Sequence, residues 1–404
     1  MFSARKTVSL VAFLVLLTAA PAFTQTPSDE ATPEAKAAAP VAHVYVQTTK
    51  GVDVYDATAA GKLTLVKGSP FSTSGQMEGI NGKYLISVGT DYLHTYAIES
   101  NGAVGKQASE INTQSYSGSE CGDTSGNGAF FDHTGAFFYV QLSNDSVCAA
   151  WQSYQVASNG TLLFLGSFED EGAEDNASLP SSLPTVSSND LFAYGIYFGY
   201  DDFVYTTVGA FSRSESGLME VNPNYGETDP PANPNSPGGG PSYWILTSTA
   251  ADPAGHLAVL MESTWFTDIQ DYGPNQLASY TIDNTTGGIA STNTWQDMPI
   301  SDTNNTAISM STTGKLLAVF GQGLQLFHFN GANPITAYSK VLLPKVAIDQ
   351  LGWDNDNHLY ALSYASGELY VYTATPTEIK EVSGSPYKVK NAYGVQGLIV
   401  VPKL

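Results

Sequence analysis

One short pattern of apolar and aromatic positions recurs seven times along this chain. Each copy has an apolar residue, two variable residues and an aromatic residue, and the copies are residues 52–55, 93–96, 151–154, 208–211, 277–280, 324–327 and 369–372. Most copies are followed by a short polar segment and then another extended run. Strand repeats at this spacing are typical of a β-propeller, in which each repeat forms one four-stranded blade.

The spacing of the copies predicts an all-β fold with seven blades. Residues 44–71 and 359–387 are the most similar copies, and six steps of about 52 residues cover the 315 positions between their starts. Residues 396–402 contain one further apolar run. We expect this run to pair with residues 43–49 as the missing innermost strand of blade 1, because an open ring leaves two unpaired sheet edges.

The strand order of a propeller blade places its connections on two faces. The strands are named a to d from the axis outward. The a–b and c–d turns then lie on one side, the turn face, and they are short, as at 132–135, 252–255, 311–314, 354–357, 100–102, 158–160 and 284–288. The b–c and d–a connections lie on the other side, the loop-bearing face. The long insertions all fall there, at residues 112–126, 143–148, 169–183, 198–202, 222–243 and 264–275.

The composition of these insertions predicts what they bind. They hold 14 acidic residues and neither Lys nor Arg, and binding residues often lie on the loops of one rim of a rigid scaffold. An acidic, aromatic rim suits a neutral saccharide-like ligand, a cation or a basic protein partner, and it disfavours anions. The candidate ligand-binding residues are Trp265, Phe266, Tyr272, Asp268, Asp271, Tyr200, Asp201 and Asp202. The alternative is that many of these aromatic residues only pin loops to the blades and that the acidic residues are simply solvated.

The two cysteines predict one disulfide. Cys121 falls between the last strand of blade 2 and the first strand of blade 3, and Cys148 falls between the second and third strands of blade 3. Both connections emerge on the loop-bearing face, so the two residues are expected to lie close together. A bridge requires a Cα separation below about 7 Å, and export to an oxidising compartment would allow it to form.

The amino terminus predicts export. Arg5 and Lys6, the apolar run 8–17 and the small residues 20–22 are typical of a secretory signal over residues 1–22. The alternative is an uncleaved anchor, although the apolar run is shorter than the ~20 residues that span a bilayer. Residues 23–42 are interpreted as a flexible linker and residues 43–404 as the propeller. We expect a periplasmic or extracellular protein with no stable membrane span after cleavage.

The net charge excludes one class of partner. The whole chain carries a formal charge of −22, which becomes −24 when Arg5 and Lys6 are removed with the signal. Such a surface repels a phosphate backbone, so nucleic-acid binding is excluded.

Motifs for catalysis or cofactor binding are missing from the sequence. It contains no Gly-x-Ser-x-Gly, His-Glu-x-x-His, phosphate loop or Cys-x-x-Cys. Carboxylates could bind calcium, but there is no Asp-x-Asp-x-Asp-Gly loop, and Asp354-Asn355-Asp356 is explained as a turn capped by a side chain. The six histidines do not cluster and are interpreted as structural. Arg213 ends strand c of blade 4, away from the loop-bearing face. No cofactor, metal site or catalytic residue is therefore predicted.

Several local motifs carry a family resemblance. They are the Asp-x-x-Gly turns before strand b, Tyr-x-Ile before Asn-Gly, and the sequences GSPF at 68–71 and GSPY at 384–387. Over residues 43–404 the chain resembles the seven-bladed lactonase-like propellers, which include the 6-phosphogluconolactonase type and its secreted YVTN-repeat relatives. The enzymes of this group use basic residues, notably Arg with His or Glu, around the axial cleft. This chain has no matching arginines, so the resemblance transfers no catalytic residue.

Two functions remain open at this point. The first is a secreted, lactonase-like propeller that acts as a scaffold and binds a ligand or protein partner through its acidic face. The alternative is a hydrolase of a neutral sugar-type lactone, with a Glu or Asp of the loop-bearing face as general base. A carboxylate or His at the axial cleft, together with an oxyanion donor, would favour the enzyme.

Overall fold

The structure is a computed structural model that describes most of the predicted propeller. It describes residues 39–89, 92–112, 125–143, 148–171, 179–180, 183–201, 203–222, 231, 242–266, 270–394 and 396–403. These residues form seven antiparallel sheets, and each sheet is one blade. None of the described residues forms a helix that is long and apolar enough to cross a membrane. The predictions of a signal at residues 1–22 and of a linker over most of residues 23–42 lie outside the described residues.

The strands follow the chain from blade to blade. Blade 1 contains β1 (Ala42–Thr48), β2 (Gly51–Ala57) and β3 (Leu63–Leu65). Blade 2 contains β4 (Gln76–Ile80), β5 (Tyr84–Val88), β6 (Tyr92–Ile98) and β7 (Val104–Asn112). Blade 3 contains β8 (Ser125–Phe131), β9 (Phe137–Ser143), β10 (Cys148–Val156) and β11 (Leu162–Glu171). Blade 4 contains β12 (Leu179–Pro180), β13 (Thr185–Val186), β14 (Phe192–Asp201), β15 (Phe203–Arg213) and β16 (Met219–Val221).

The remaining blades complete the ring. Blade 5 contains β17 (Ser242–Ala251), β18 (His256–Phe266), β19 (Gln270–Ile282), β20 (Ile289–Ala290) and β21 (Ile300–Ser301). Blade 6 contains β22 (Asn304–Met310), β23 (Leu316–His328), β24 (Thr336–Ala337) and β25 (Leu342–Ala347). Blade 7 contains β26 (Gln350–Trp353), β27 (His358–Ser363), β28 (Glu368–Thr375), β29 (Glu378–Glu381) and β30 (Tyr387–Lys388). The last strand, β31 (Leu398–Pro402), belongs to blade 1.

The predicted closure of the ring is confirmed. β31 pairs antiparallel with β1, in a register that runs from Ala42 opposite Pro402 to Val46 opposite Leu398. Blade 1 thus has the order β3-β2-β1-β31, and β31 also contacts β26 of blade 7 and β4 of blade 2. The chain is a seven-bladed propeller whose innermost strand in blade 1 comes from the C-terminal segment.

The hydrophobic core lies between neighbouring blades. Seven clusters of buried residues are present in the described part of the chain, and each joins two adjacent blades. Because strand b of each blade is covered by a neighbouring blade on both faces, its residues are buried in succession rather than alternately, as in β1, where every residue is buried. These layers fix each blade against the next, so the innermost strands define the axis.

A recurring contact ties each blade to the next at the turn face. In six blades an aromatic or His ring at the start of strand b packs on a glycine in the c–d turn of the following blade, where a Cβ would lie 2.1–3.0 Å from the ring. The pairs are His43 on Gly102, Tyr84 on Gly160, Phe137 on Gly217, Phe192 on Gly287, His256 on Gly331 and His358 on Gly61. Each of these glycines has a positive φ. This contact gives three of the six histidines a structural role.

Two segments that were predicted to be loops are largely regular strand. In blade 5, β18 and β19 continue as a hairpin that pairs Trp265 with Asp271 and Phe266 with Gln270. In blade 4, β14 and β15 pair up to Asp201 opposite Phe203. The predicted loops at 264–275 and 198–202 are thus hairpin tips in their described parts. Aromatic and β-branched residues favour the extended backbone, and this preference explains why the strand pairing continues into the hairpin tips.

Candidate functional site

The structure describes only the backbone of the aromatic and acidic residues that were selected from the sequence. Trp265, Phe266, Asp271 and Tyr272 share the tip of the β18–β19 hairpin in blade 5, where Thr264 is opposite Tyr272. Tyr200 and Asp201 lie at the tip of the β14–β15 hairpin in blade 4, and Tyr200 is opposite Val204. Asp202 and Asp268 lie outside the described residues. The two hairpins emerge at the b–c edge of adjacent blades, and a joint ligand site there stays a prediction.

The predicted disulfide also stays a prediction. Cys121 lies outside the described residues, within the connection from β7 to β8. Cys148 was expected between the second and third strands of blade 3, but it is the first residue of the third strand, β10, opposite Glu171. The b–c connection of blade 3 is therefore one residue shorter at this end than the sequence suggested.

A group of polar side chains collects at the axis near the loop-bearing face. The axial polar cluster consists of Gln47, Gln76, Glu78, Asp349, Tyr364 and Gln396. Gln76 and Glu78 belong to β4, the innermost strand of blade 2. Gln47 is near the end of β1, and Tyr364 directly follows β27. The ends of strands b and the starts of strands a meet at the loop-bearing face, so the cluster lies on the face that the sequence predicted, but it consists of different residues.

Glu78 points toward the centre of the ring. The backbone N–H of Ala129 in blade 3 donates a hydrogen bond to its carboxylate, and Tyr364 of blade 7 is close enough for the charge of Glu78 to act on its hydroxyl. Gln396, just before β31 of blade 1, donates to the carbonyl oxygen of Ala129. Groups from blades 1, 3 and 7 can surround a residue of blade 2 only at the axis.

Burial leaves two oxygens of this cluster without a hydrogen-bond partner. Glu78 is 4% exposed, and its Oε2 has no partner. The Oε1 of Gln76, two residues earlier on the same strand, is also buried and without a partner. A buried acceptor that makes no hydrogen bond costs about 1–3 kcal/mol. Both atoms are therefore acceptors that gain stability when a donor reaches them.

The burial of Glu78 changes its acidity. Desolvation raises the pKa of its carboxyl group to about 7, and the hydrogen bond from the Ala129 amide only partly offsets this effect. The carboxyl group is thus divided between its neutral and charged forms near neutral pH. A carboxylate with a pKa near the working pH can accept a proton from a reacting group.

The other members of the cluster are held by backbone groups. The Tyr364 hydroxyl donates to the carbonyl oxygen of Gly394 at 2.7 Å, and its amide donates to Oδ2 of Asp349 at 2.7 Å. Burial, and after it the charge of Asp349, raises the pKa of Tyr364. Gln47 accepts a hydrogen bond from the amide of Met77 at 3.1 Å and so fixes the start of β4. These contacts fix the side chains that surround the carboxylate of Glu78.

Arg213 and five of the histidines lie toward the turn face, away from this cluster, whereas His94 is opposite Ser87 near the b–c end of blade 2. Nη1 of Arg213 is 3.5 Å from Oδ2 of Asp132, its Nε donates to the carbonyl oxygen of Asp190 at 2.5 Å, and its guanidinium lies over the ring of Phe137. Five histidines, in separate places, have Nδ1 within 3.3 Å of a carboxylate oxygen: His43, His94, His133, His256 and His358. Arg213, the only arginine among the residues that the structure describes, therefore joins blades 3 and 4.

The turn face also holds a shallow opening at its axial end. It measures about 290 Å³ and is lined by Ile80, Asn81, Phe131, His133, Asn355 and Pro402, among others. The side chain of Asn81 already bonds the carbonyl oxygen of Gly135 and the amides of Lys83 and Tyr84. Nδ1 of His133 is likewise paired with Asp190. The side chains of Asn81 and His133 at this opening are therefore already engaged in hydrogen bonds or ion pairs within the protein.

The described residues provide no clear metal centre. They contain no group of three or more His, Cys, Asp or Glu side chains that could hold a metal ion. Asp354 caps its own turn through the amide of Asp356 at 2.9 Å, as the sequence predicted.

Sequence reasoning missed Glu78 because it searched the long insertions. A signal was nevertheless present, since Glu78 is the only charged residue in the run Gln-Met-Glu-Gly-Ile, which forms the innermost strand of blade 2. Glu is almost never buried without a partner.

Comparisons with known proteins agree with the fold. Neither a protein-family profile nor a curated protein sequence matches the chain. The solved structures that are similar include a proposed 6-phosphogluconolactonase from Bacteroides uniformis, with 13% identity, a TM-score of 0.55, and coverage of 89% of this chain and 99% of that one. The periplasmic gluconolactonase of Pseudomonas aeruginosa has 12% identity and a TM-score of 0.53, with coverage of 89% and 99%. A protein from Lactobacillus plantarum has 12% identity and a TM-score of 0.56, with coverage of 87% and 97%.

At these identities the comparisons show the fold alone. The chain has the seven-bladed propeller fold of structures named as lactonases, which is the fold that the resemblance implied.

Proposed function

We propose that this protein is an exported binding propeller that captures a ligand rich in hydrogen-bond donors, either neutral and polyhydroxylated or cationic, on its loop-bearing face. The observation that carries the proposal is the pair of buried acceptors without a partner, Oε2 of Glu78 and Oε1 of Gln76. Two unpartnered acceptors at the axis require donors, and a ligand hydroxyl or ammonium group supplies them.

The distribution of charge supports this ligand class. Residues 113–303, which include blades 3 to 5, hold 23 Asp and Glu, one Arg and no Lys. The guanidinium of that Arg is engaged with Asp132 and Asp190 on the turn face. An anionic ligand at the axial polar cluster would meet Glu78 without a compensating cation, which costs about 4 kcal/mol for each unit-charge contact at 4 Å and an effective dielectric of 20.

The rim residues selected from the sequence extend the proposed site. Trp265, Phe266 and Tyr272, with Tyr200, would stack against a sugar ring or a basic side chain, and Asp201, Asp202, Asp268 and Asp271 would accept its hydrogen bonds. A basic protein partner could use the same rim. The predicted signal at residues 1–22 and the periplasmic location in the name of the Pseudomonas aeruginosa structure support export.

Calorimetry on the mature protein tests this proposal. The probes are a set of neutral di- and trisaccharides, spermidine as a cation and gluconate as an anion, and Glu78→Gln is compared with Glu220→Gln, an exposed acid on β16. We expect a saccharide or spermidine to bind and gluconate not to bind. Glu78→Gln should change the affinity about 5-fold or more, and Glu220→Gln should not. Preferred binding of gluconate, or equal effects of the two variants, would refute the proposal.

A second function, hydrolysis of a neutral lactone, is favoured by one specific observation. The carboxyl group of Glu78 has a pKa of about 7, so near neutral pH its carboxylate form could take a proton from water. The water oxygen would then attack the lactone carbonyl carbon, the ring ester C–O bond would break, and the leaving oxygen would take up a proton to give a hydroxy acid. No oxyanion donor has been identified among the described residues, so binding is the better-supported function.

A hydrolysis screen tests this second function. Neutral and acidic lactones are incubated with the purified protein, with and without calcium, between pH 5 and 9. Hydrolysis of a neutral lactone that rises with an apparent pKa near 7 and is lost in Glu78→Gln would support it. Wild-type activity that survives in Glu78→Gln would exclude Glu78 as the base.

A further inference from the structure

Two carboxyl groups of the axial polar cluster act on one tyrosine. Oδ2 of Asp349 accepts a hydrogen bond from the Tyr364 amide at 2.7 Å. Burial is the largest cause that raises the pKa of the Tyr364 hydroxyl group, and the charges of Asp349 and then of Glu78 raise it further. Asp349 directly precedes β26 of blade 7, and Glu78 lies on β4 of blade 2. The axis is therefore surrounded by acidic groups from different blades.

Within the described part of the chain, these two carboxyl groups have no cationic partner. None of the Lys, Arg and His side chains described there forms an ion pair with Glu78 or Asp349. Lys50 and Lys390 lie in connections of the loop-bearing face, and both are exposed. The strands that contact β4, which are β5, β8 and β31, contain no charged residue. A cation that reaches the axis therefore displaces no ion pair of the protein.

A β-bulge turns Glu78 toward the axis. The pairing of β4 with β5 runs from Met77 to Gly79 and leaves Glu78 without a cross-strand partner, and such bulges re-aim a side chain. Met77 is buried between blades 1 and 2, and a Cβ on Gly79 would meet the ring of Phe131 in blade 3. Both neighbours thus face adjacent blades, whereas Glu78 is within reach of groups from blades 3 and 7.

Gln76 is close to the same groups. A Cβ on Gly394 would lie 3.5 Å from Oε1 of Gln76, and the carbonyl oxygen of Gly394 accepts the hydrogen bond from the Tyr364 hydroxyl. Gln76 is two residues before Glu78 on β4. The two buried oxygens without a partner are therefore near neighbours in the chain, and each is near Tyr364 of blade 7.

The polar groups of the cluster differ in whether they are still free to bond. Three of its side chains already donate to backbone carbonyl oxygens, namely Gln47, Tyr364 and Gln396. The two atoms without a partner, Oε2 of Glu78 and Oε1 of Gln76, are both acceptors. A ligand at this point therefore has to supply donors, and more than one of them.

An ammonium group fits these requirements better than a hydroxyl group. A primary ammonium group has three N–H donors and no acceptor, whereas a hydroxyl group has one donor and an oxygen that itself seeks a donor. Hydrogen bonds between an ionised donor and an ionised acceptor are roughly twice as strong as neutral ones. A quaternary ammonium group has the charge but no N–H. Charge and donors together are thus found only in the ammonium group with N–H bonds.

We propose that the axial polar cluster binds the primary ammonium group of an organic cation, with the carboxylate of Glu78 and the amide oxygen of Gln76 as its acceptors. Asp349 adds a second negative charge beside Tyr364. The inference rests on the proposed function, because it selects the cationic ligand class for the same site. The proposal thus ranks an organic amine above a neutral saccharide of similar size.

Calorimetry with matched probes tests this proposal. Cadaverine has primary ammonium groups, its fully N-methylated analogue keeps the charges without donors, and 1,5-pentanediol keeps hydroxyl donors without charge. A neutral disaccharide is the fourth probe. The variants of the mature protein are Glu78→Gln, Gln76→Leu and Asp349→Asn, and the controls are Glu99→Gln and Gln107→Leu, two exposed residues of blade 2. The melting temperature of each variant is recorded.

Proton release gives a second readout. Burial raises the pKa of Glu78 to about 7, so at pH 6 most of its carboxyl groups are neutral, and binding of an ammonium group should release up to about one proton. The titratable groups that face it are Tyr364 and, beside that residue, Asp349. The release is measured by repeating the titration in buffers of different ionisation enthalpy. It should be absent at pH 8 and in Glu78→Gln.

The expected result is selective for the amine. Glu78→Gln should weaken cadaverine binding about 10-fold or more, and Gln76→Leu about 2- to 10-fold, since each removes a charge or an acceptor. Asp349→Asn should weaken it about 2- to 5-fold, because the charge is lost. Neither control should change it, and the methylated analogue and the diol should bind at least about 10-fold more weakly than cadaverine.

Other outcomes overturn the inference in distinguishable ways. Disaccharide binding that needs Glu78, without cadaverine binding, would overturn the ligand class and leave the proposed function intact. Equal binding of the methylated analogue would overturn the role of the N–H donors. Cadaverine binding that Glu78→Gln and Glu99→Gln weaken equally would reflect only the general negative charge and overturn the site. If no probe binds in a Glu78-dependent way, the proposed function fails and this inference fails with it.

Discussion

At the scale of single residues, Glu78 and Arg213 show opposite uses of a buried charge. Glu78 lacks a charged partner, and burial raises its pKa. Arg213 has its partner in Asp132, whose side chain is fully buried, and it joins two blades. An unpaired buried acid lowers the stability of the fold. Removing one partner of a buried ion pair also lowers it, because the other charge is left buried without compensation. Replacing each residue should therefore give opposite effects on stability.

Glu78→Gln should stabilise the protein in a pH-dependent way. The folded-state pKa of about 7 lies above the ordinary value of 4.5 for a glutamate, so Glu78 reduces stability as the pH rises from about 4.5 to 7, and the full loss is present above pH 7. The variant should raise the free energy of unfolding by on the order of 2–3 kcal/mol at pH 8 and by little at pH 4. Urea unfolding at several pH values measures this, with Glu220→Gln as control. A gain that does not vary with pH would contradict the prediction.

Arg213→Met should destabilise the fold without affecting the axial site. It leaves Asp132 buried without its counter-charge, which should cost about 2–4 kcal/mol in urea unfolding. Arg213→Lys should lose less, because it keeps the charge. Ligand binding at a temperature where the variant stays folded should be unchanged. A folded variant that has lost binding would show that Arg213 has a functional role.

At the scale of elements, the turn face is a repeated joint between strand b of one blade and the c–d turn of the next. Its geometry needs a glycine under an aromatic or His ring, and six blades have one. The joint uses the same contact with different rings, so the histidines at 43, 256 and 358 fill positions that Tyr and Phe fill in other blades. This equivalence supports a packing role for those histidines.

Two glycine variants distinguish the cost of a steric clash in the joint from the cost of a side chain on a backbone with positive φ. Gly102 and Gly82 have nearly the same φ, +82° and +84°, but a Cβ on Gly102 would lie 2.4 Å from Nδ1 of His43, whereas Gly82 has open space around it. Gly82→Ala should cost about 1 kcal/mol through its backbone alone, and Gly102→Ala should cost about 1–3 kcal/mol more through the clash. Thermal and urea unfolding give the difference. Equal costs would show that the His43 ring moves away from the added Cβ without loss of stability.

The elements were predicted from the sequence, whereas the axial polar cluster was not. Strand repeats follow from local patterns, so the blades and the pairing of β31 with β1 were both predicted. Glu78 was missed because its environment is not local: it depends on a one-residue bulge and on groups from Ala129 and Tyr364, which are distant in the chain. The tip at Trp265 was taken for a loop, since side-chain composition alone does not show that strand pairing continues to Phe266.

At the scale of the whole molecule, the charge is divided unevenly around the ring. Residues 113–303 hold 23 acids and one Arg, whereas residues 39–112 and 304–404 together hold 12 acids and 12 lysines. Blades 3 to 5 are thus strongly negative, and the other four blades are close to neutral. Like charges in the first group repel one another and oppose its compact state.

Salt should relieve this repulsion where the charge is concentrated. Glu220→Gln, in blade 4, should raise the melting temperature by about 1–2 °C at low ionic strength, and Glu378→Gln, an exposed acid of blade 7, should change it less. In 1 M NaCl, where the Debye length falls to about 3 Å, the two variants should behave alike. Equal shifts at low salt would show that the uneven charge has no effect on stability.

Removing the closing strand should disrupt the whole ring. Deletion of residues 397–404 exposes one edge of β1 and the apolar surface that β31 shares with blades 2 and 7. We expect aggregation and the loss of a single cooperative unfolding transition. Deletion of only residues 403–404 is the control. A soluble, cooperatively folded protein without β31 would show that closure is dispensable.

The pairing of β31 with β1 also governs how quickly the native state can be reached. It joins Ala42 to Pro402, two positions 360 residues apart, and such distant pairings form slowly because the entropy of a long loop must be lost before they gain anything. Blades 2 to 7 can each collapse early from local hairpins, but blade 1 stays incomplete, and the ring open, until β31 pairs with β1. During that interval its end blades can pair with other chains. Refolding yield should therefore fall as protein concentration rises, even though the other six blades fold from neighbouring segments.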